Sequence, residues 1–405
     1  MPALAAESLR APPETDPGDS RPIASEAALA TTAARLAGNP EDWTVAERRL
    51  ADAAPPACPV SLARQVERVR QAIVGGADPL GDAFCRLRTA AARRPTGAVY
   101  TPHNIVTAMV GWIAAKHCQP ARVVDPGAGS GRFIAKAAEV FPLSELVAVE
   151  FDPLAALMLR ANANTLGFGE RLRLFVGDYR DLSLPPIRGT TAFIGNPPHV
   201  RHHGIDAARK TWLSDTAASL GINASQMAGL HIRFFFKTAL LGRDGDLGCF
   251  ITAAECLDVN YGAALRRLFL GRLGGAEIRS LAAAASAFPD IATTAAIACF
   301  RIGTDAPTLH LRHARTDAEL MRPAPVRAVA RASLAQSERW TPLILGGTTK
   351  ATTWSATRAV LGDLFRVHRG QVTGANRVWI AGPRAADLPP RYLLPAVTRA
   401  REDVR

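Results

Sequence analysis

Residues 121–133 read ARVVDPGAGSGRF, an apolar run that stops at an aspartate and passes into a glycine-rich turn. The run is typical of a buried strand, and the residues after the last glycine are typical of a helix start. Glycine lets the backbone turn sharply and approach a ligand closely, because it has no Cβ. Strand, glycine turn and helix in this order predict the opening unit of a doubly wound α/β sheet, with a ligand site beyond the strand end.

Strand-like and helix-like segments alternate on the C-terminal side of this turn. Three apolar strand patterns end near Glu150, Asp178 and Gly195, each followed by a segment with helical or loop character. A further strand pattern covers 246–255, and a pair of strand patterns within 277–303 closes the series. This alternation predicts a mixed, mainly parallel α/β sheet.

Composition changes along the chain divide it into four regions. Residues 1–22 are rich in Pro, Ala and acidic residues, which predicts a disordered lead-in. Residues 23–95 are Ala-rich, with apolar residues at a spacing of three to four, and this predicts a helical region. The α/β pattern covers residues 96–319, and we expect residues 320–405, which are irregular and basic, to form a small C-terminal recognition region.

Overall composition is that of a globular protein, with 48% hydrophobic and 21% charged residues in 405. No run of about 18 apolar residues is present, so the sequence predicts no membrane span. Six cysteines occur without a CxxC pair and nine histidines without an HxxxH spacing, which argues against a disulfide framework and against a metal site. A reducing cytoplasm is the expected location.

The charge distribution indicates a polyanionic partner. The formal net charge is +12, and residues 306–405 contain 16 Lys and Arg against 7 Asp and Glu. A basic segment beside a near-neutral body is typical of nucleic-acid binding. The alternative is compositional: an Arg- and Ala-rich chain is also what a GC-rich genome produces, so charge alone leaves both interpretations open.

Two acidic residues follow the glycine turn at positions that suit a nucleoside. Gly127, Gly129 and Gly131 form a G-x-G-x-G pattern, a poorer match to a dinucleotide site than G-x-G-x-x-G. Glu150 lies 19 residues beyond Gly131 at the end of the second strand, where a carboxylate can accept from ribose hydroxyls. Asp178 ends the third strand and can accept from an adenine amine. The alternative is a tight turn with two surface carboxylates.

Upstream of the turn, residues 97–113 read GAVYTPHNIVTAMVGWI. Thr101 before Pro102 predicts a helix start, with threonine as N-cap and proline in the first turn. The N–H groups of such a helix start can also bind a carboxylate, so Thr101 and the adjacent Tyr100 are candidate ligand-binding residues.

The stretch IGNPPHVRHH at 194–203 supplies the candidate catalytic residues. Prolines fix φ and remove two N–H donors, which leaves carbonyl oxygens in a stiff, extended frame. The side-chain oxygen of Asn196 and the carbonyl of Pro197 form an acceptor pair for an amine with two hydrogens. After Pro198, the flat ring of His199 can stack on a base taken out of a duplex.

DPGAGSGRF followed by IGNPPH resembles the amino-methyltransferases of restriction-modification systems, in the order found in adenine-N6 enzymes whose cofactor motifs come first. The resemblance covers roughly residues 95–400. It implies a Rossmann-like class I methyltransferase that uses S-adenosylmethionine, and in this family the Asn side chain and first Pro carbonyl grip the target amine. The residues it assigns to the cofactor are Tyr100, Thr101, Asp125, Gly127, Gly129, Gly131, Glu150, Asp178 and Asn196.

The sequence departs from this family at His199, where Tyr, Phe or Trp is expected. Imidazole is planar but covers less area than these rings. Phe288 is the candidate for a second aromatic on the flipped base, with a core position as the alternative. The candidate nucleic-acid contacts are Arg201, His202, His203 and Arg369.

The resemblance implies double-stranded DNA as substrate, and a cognate restriction endonuclease is a candidate partner. The segment RGQVTGANRVW at 369–379 resembles the start of the family's target-recognition region, and the chain stops at RAREDVR, as an incomplete recognition region would. Two alternatives stay open: a methyltransferase for RNA or protein glutamine, and a DNA-binding relative whose catalysis is impaired by His199.

Overall fold

The computed structural model describes most of the chain up to residue 346 and two short segments beyond it. The described residues are 22–53, 59–93, 96–97, 99–116, 119–200, 206–225, 228–282, 294–321, 326–346, 361–366 and 388–393. Contacts divide the chain into two units, Met1–Thr349 and Lys350–Arg405. The second unit contains, within its described residues, a helix at Leu361–Leu364 and a 3₁₀ turn at Pro390–Tyr392.

A nine-stranded sheet lies at the centre of the first unit, within the residues described. Its order is β3-β2-β1-β4-β5-β7-β6-β8-β9. The strands are β1 (Arg122–Asp125), β2 (Glu145–Glu150), β3 (Leu172–Val176), β4 (Thr191–Gly195), β5 (Leu247–Ala253), β6 (Gly275–Leu281), β7 (Ala295–Arg301), β8 (Thr308–Ala314) and β9 (Arg327–Ala330).

The first five strands are parallel, and β7 inserts antiparallel between β5 and β6. Val124 of β1 is in register with Val147 of β2 on one side and with Phe193 of β4 on the other. The strand order reverses between β1 and β4, so a crevice opens there at the carboxyl ends of both strands. The mixed, mainly parallel α/β architecture predicted from the sequence is confirmed.

The sheet continues past residue 320, where the sequence pattern placed a domain boundary. β9 pairs antiparallel with β8, and Trp340 and Leu343 are buried in the same core cluster as Phe250 of β5. The boundary at 320 therefore falls inside continuous structure, and the contacts divide only near residue 349. The sequence pattern looks irregular beyond residue 310 because the strands and helices there are only four to seven residues long, too short to show a clear periodicity.

Helices cover both faces of the sheet. Those of the first unit are α1 (Glu26–Leu36), α2 (Val45–Asp52), α3 (Pro59–Val74), α4 (Pro79–Leu87), α5 (Ala90–Arg93), α6 (His103–Ala114), α7 (Arg132–Val140), α8 (Pro153–Thr165), α9 (Ala207–Ser219), α10 (Leu230–Leu241), α11 (Ala263–Leu270), α12 (Asp317–Met321), α13 (Arg331–Gln336) and α14 (Thr341–Ile344). Within the described residues, no helix is both long and apolar enough to cross a membrane.

α8 joins the N-terminal helices to the sheet. Its Leu159 packs in a core cluster with sheet residues, whereas its Leu157 and Met158 pack in a separate cluster with Leu29 of α1 and Phe84 of α4. Each such buried apolar side chain stabilises the fold by about 2–5 kcal/mol relative to alanine. The helical region predicted upstream of residue 95 is therefore a layer packed on the α/β unit.

Candidate active site

The glycine turn after β1 borders a cavity at the carboxyl ends of β1, β2 and β4. Gly129 and Gly131 have φ values of +56° and +94°, in the left-handed region that favours glycine. Gly127 and Gly129 line the cavity. Gly131 instead faces α8, where a Cβ would lie 3.0 Å from Cγ of Leu159. The turn therefore depends on glycine for its conformation and for its close packing.

Glu150 ties the end of β2 to this turn. Its Oε2 accepts a hydrogen bond from Gly129 N at 2.7 Å, and its Oε1 accepts from the backbone N–H groups of Phe151 and Asp152, each at 2.8 Å. Burial raises the pKa of Glu150, and these donors oppose that rise. A carboxylate offers about four acceptor positions, so one is left for a ribose hydroxyl.

Asp178 lines the same cavity, but two guanidinium groups hold its carboxylate. Its Oδ2 accepts from Nη2 of Arg180 at 3.0 Å and from Nη2 of Arg209 at 2.9 Å. Burial alone would raise the pKa of Asp178, and the arginine donors outweigh it and lower the pKa. An adenine amine that binds Asp178 must share the carboxylate with Arg209. The sequence did not indicate Arg209, because it reaches Asp178 from α9, 31 residues further on.

Asn196 follows β4 with its side-chain amide fixed in one orientation. Its Nδ2 donates to the carbonyl of Val99 at 3.3 Å and to Oγ1 of Thr101 at 3.2 Å. Its Oδ1 is buried and has no partner within the described part of the chain. Asn196 lines the cavity, so the geometry leaves a single amide oxygen available to accept from a substrate.

The structure corrects the sequence-based role of Thr101. We expected Thr101 to cap the following helix, but α6 begins at His103 and Pro102 occupies the N-cap position. The hydroxyl of Thr101 instead accepts from Asn196. The pattern correctly predicted that a helix begins here. Thr101, however, lies one residue before the N-cap and bonds to Asn196 instead of to the helix.

A glycine upstream of α6 holds the backbone of the Asn-Pro-Pro-His motif. The carbonyl of Gly97 accepts from His199 N at 3.3 Å. Gly97 has a φ of +68°, and a Cβ on it would lie 2.7 Å from His199 N. Pro198 lines the cavity and approaches Gly127, whose added Cβ would lie 3.5 Å from Cδ of Pro198. The motif is thus packed between the glycine turn and Gly97.

His199 lies beside a second histidine. Its ring centroid is 5.0 Å from that of His231, with an angle of 36° between the planes. Burial lowers the pKa of His199 to about 4, with Glu255 opposing the change. At neutral pH His199 is therefore an uncharged ring, so stacking through a protonated imidazole, in a cation–π manner, does not apply.

The N-terminal helices supply one wall of the cavity, which the sequence did not indicate. Phe84 of α4 lines the cavity, and its ring centroid is 5.7 Å from that of Tyr100. Asp78, the N-cap of α4, accepts from Ser130 Oγ at 2.5 Å and from Arg132 Nε at 2.7 Å. These contacts fasten the glycine turn to the helical layer.

Three buried polar atoms at or near the cavity bear on whether a cofactor fits there. The buried Tyr100 hydroxyl, Asp125 Oδ2 and Asn196 Oδ1 lack partners among the residues described. Tyr100 and Asn196 line the cavity, whereas Asp125 is not among the lining residues and its other oxygen, Oδ1, accepts from Gly127 N at 3.3 Å. The unpartnered Tyr100 hydroxyl, the glycine turn and Glu150 suit the polar and ribose groups of S-adenosylmethionine, and Asn196 Oδ1 stays available for a substrate amine.

Several predicted site residues lie outside the described residues. They are Arg201, His202, His203, Phe288 and Arg369. Within the described residues, no group of three or more His, Cys, Asp or Glu side chains could hold a metal ion.

Comparison with known proteins identifies the class of this chain. No family model matches it. The chain is 50% identical over 325 residues to the type II methyltransferase M.XamI of Xanthomonas campestris pv. amaranthicola, a match covering 80% of this chain and 59% of that protein. The chain therefore spans about three fifths of the length of this curated relative.

Two solved structures share the fold. The first is a DrdV–DNA complex, with a TM-score of 0.53, 14% identity and coverage of 82% of this chain and 41% of that one. The second is the type IIG restriction endonuclease BpuSI, with a TM-score of 0.52, 17% identity and coverage of 76% and 42%.

The strand order, the glycine turn and the strand-end acid Glu150 fit the class I methyltransferase fold that the sequence predicted. Over the 325 matched residues, the chain is similar to a type II methyltransferase at 50% identity. The resemblance found in the sequence is confirmed.

Proposed function

We propose that this protein transfers a methyl group from S-adenosylmethionine to the exocyclic N6 amine of adenine in double-stranded DNA. The observation that carries the proposal is the side chain of Asn196. Val99 and Thr101 fix its amide, and its Oδ1 at the cavity is buried and without a hydrogen-bond partner among the described residues. An unpartnered buried acceptor is costly, and a substrate N–H group would satisfy it.

The arrangement suits an amine that is a poor nucleophile. The lone pair of an adenine amine is delocalised into the ring, and two acceptors that hold both N–H groups favour a pyramidal nitrogen. Asn196 Oδ1 and the carbonyl of Pro197 are these acceptors. When bound, S-adenosylmethionine would supply a methyl group on its sulfonium, with the S–CH3 bond breaking to leave the neutral thioether as the N–CH3 bond forms, and the amine proton would then leave to water. Neutral His199 stacks on the flipped base.

The proposed substrate and partners are inferred from the net positive charge of the chain and from its similarity to a type II methyltransferase. The +12 charge and the excess of cations near the C-terminus suit a polyanion, and the match to a type II methyltransferase supports duplex DNA over RNA or protein glutamine. We propose modification of DNA in a restriction-modification system, beside a cognate endonuclease in the cytoplasm.

Methyl transfer by an Asn196→Ala variant tests the proposal. The assay uses tritiated S-adenosylmethionine and mixed genomic DNA, followed by separation of the nucleosides. We expect N6-methyladenine from the parent, at least a hundredfold less from Asn196→Ala, and cofactor affinity within about twofold in both, because the side chain acts on the amine. Asn39→Ala, an exposed asparagine in the helical layer, is the matched control and should keep the parent rate.

Three outcomes would contradict the proposal in different ways. N4-methylcytosine as the product would change the target base. Equal rates for the parent and Asn196→Ala would remove Asn196 from the amine site. A parent protein that binds the cofactor and DNA without transferring methyl groups would identify the catalytically impaired relative.

A further inference from the structure

A buried histidine outside the Asn-Pro-Pro-His motif contacts the proposed stacking ring. His231 is the second residue of α10 and is 4% exposed. Its ring centroid lies 5.0 Å from that of His199, and its Nε2 has no hydrogen-bond partner within the described part of the chain. Among the described residues, the ring contact with His199 is an interaction that links the side chain of His231 to the motif.

The start of α10 is built to bring His231 against the motif. Leu230 N donates to the carbonyl of Val200, the residue after His199, at 2.9 Å. A Cβ on Gly229 would lie 2.8 Å from Cε1 of His231 and 3.3 Å from the carbonyl of Val200. Glycine at 229 thus leaves the room in which the His231 ring and the Val200 backbone lie together.

Gly97 holds the same motif from the other side through His199 N. The backbone of the motif's fourth position is therefore fixed by Gly97 and by the first turn of α10. What remains to be fixed is the plane of the His199 ring, because the ring can still rotate about its side-chain torsions. His231 packs against that ring and limits the rotation.

An imidazole needs this support more than a larger ring does. Base–aromatic stacking is worth about 1–3 kcal/mol, and the small area of imidazole places it near the lower end. Ordering a free side chain costs a comparable amount. A ring that had to find its orientation during each binding event would lose much of its stacking gain.

We propose that His231 is a positioning residue that holds His199 in the orientation for stacking on the target base. The two imidazoles form one aromatic platform in the place where the resembling enzymes carry a single larger ring. This inference rests on the proposed base-flipping function, and it adds a residue 32 positions beyond the motif.

The charges around the pair are consistent with contact between neutral rings. Burial lowers the pKa of both histidines. Glu255 opposes the effect at His199, whereas Arg233, on the same helix as His231, adds to it at His231. A proton on one ring would also repel a proton on the other.

Two substitutions of His231 separate ring contact from space filling. Leucine has a volume close to that of histidine but no planar ring, and phenylalanine keeps the ring without nitrogens. We expect His231→Leu to lower kcat for methyl transfer to mixed genomic DNA about tenfold, with Kd for S-adenosylmethionine within twofold of the parent. His231→Phe should stay within about threefold of the parent kcat. His310→Ala, an exposed histidine on β8, is the control.

A double-mutant cycle tests whether His231 acts through His199. In a His199→Ala background, His231→Leu should lower kcat by less than twofold, because the ring it positions is gone. A further tenfold loss there, or a parent-like kcat for His231→Leu alone, would overturn the proposal. Equal losses in His231→Leu and His231→Phe would also overturn it, since the ring would not matter.

Ring resonances of His199, from nuclear magnetic resonance of histidine-labelled protein, give a readout without activity. They should broaden or shift in His231→Leu and stay near the parent positions in His231→Phe. Unchanged resonances in both variants would overturn the proposal even if methyl transfer is observed. A parent without methyl transfer would instead contradict the proposed function, while these spectra still report whether His231 orders the ring.

Discussion

His199 is uncharged at neutral pH in this fold, and that property limits its chemistry. Its pKa is lowered to about 4 by burial, so the ring gains no proton between pH 6 and 8. A residue that accepts the amine proton during transfer would need a pKa nearer the working pH. The ring is therefore suited to stacking and poorly suited to moving protons.

Substitution of His199 should follow ring area. We expect His199→Tyr and His199→Phe to retain or raise the methylation rate and His199→Ala to lower it about tenfold or more, because stacking is worth about 1–3 kcal/mol per base. The parent rate should show no imidazole titration from pH 6 to 8. Rates of all four proteins across this range are the measurement. A proton-transfer role would instead make Tyr and Phe as poor as Ala, with a titrating parent.

Asp125 is the opposite case, a carboxyl group kept protonated. It is fully buried, and burial raises its pKa to about 8, with Gly127 N–H opposing and Glu150 adding to the rise. The folded state therefore holds a proton that the unfolded chain releases near pH 4. Stability from this group is lost as the pH rises toward 8.

The substitution Asp125→Asn should remove the loss of stability that the parent shows as the pH rises. Between pH 6 and 9 we expect the free energy of unfolding of the cofactor-free parent to fall by about 2–3 kcal/mol more than that of the variant, as measured by urea titration at both pH values. Asp246→Asn is the matched buried control, because its carboxylate accepts from Thr191 N and Arg243 N; that variant should be less stable at both pH values. Equal pH dependence in parent and Asp125→Asn would show that Asp125 is ionised in the folded protein.

Among the elements, the turn before α6 has the most direct effect on the motif. Gly97 combines a positive φ with a backbone contact to His199, whereas Gly76 has a φ of +86° and open space around it. The two glycines share one backbone conformation and differ in what a side chain would meet.

Gly97→Ala should therefore damage catalysis, and Gly76→Ala should not. We expect kcat to fall at least tenfold in Gly97→Ala, because the Cβ would displace the backbone that carries His199. Both variants should lose about 1–2 kcal/mol of stability from the left-handed conformation. Steady-state rates and thermal unfolding check this. Similar kcat values in both variants would mean that the motif tolerates displacement.

Local patterns identified the elements and missed most contacts between them. The glycine turn and the strand-end acid Glu150 were found because one short stretch of sequence encodes a strand, a turn and a helix. Arg209, Asp78 and His231 were not found, because each reaches the site from a helix far away in sequence. Their residue types carry no signal of their own: an arginine on a helix or a histidine in an apolar stretch is usually structural.

At the scale of the whole molecule, the C-terminal charge is the feature with a functional prediction. The structure moves the division of the chain from 320 to about 349, so β9, α13 and α14 belong to the α/β unit. Beyond it, residues 350–405 contain ten Lys and Arg against four Asp and Glu. This unit is the candidate for DNA contact.

A chain that ends at residue 349 should bind duplex DNA more weakly and with less dependence on salt. Each phosphate contact adds about −0.9 to the slope of log affinity against log salt concentration. We expect the full chain to have a slope steeper by several units, measured by fluorescence anisotropy between 50 and 200 mM salt. Equal affinity and slope in the two proteins would place the DNA-binding surface in the α/β unit.

The packing of the N-terminal helices on α8 has a consequence for synthesis on the ribosome. Leu29 and Phe84 are buried against Leu157 and Met158, which are translated about 70 to 130 residues later. At 5–20 residues per second, the apolar face of the first helices stays without its packing partner for roughly 4–26 s. During that interval it is a surface that a chaperone can bind, and the wall that carries Asp78 and Phe84 gains its contacts with Leu157 and Met158 only when α8 has emerged.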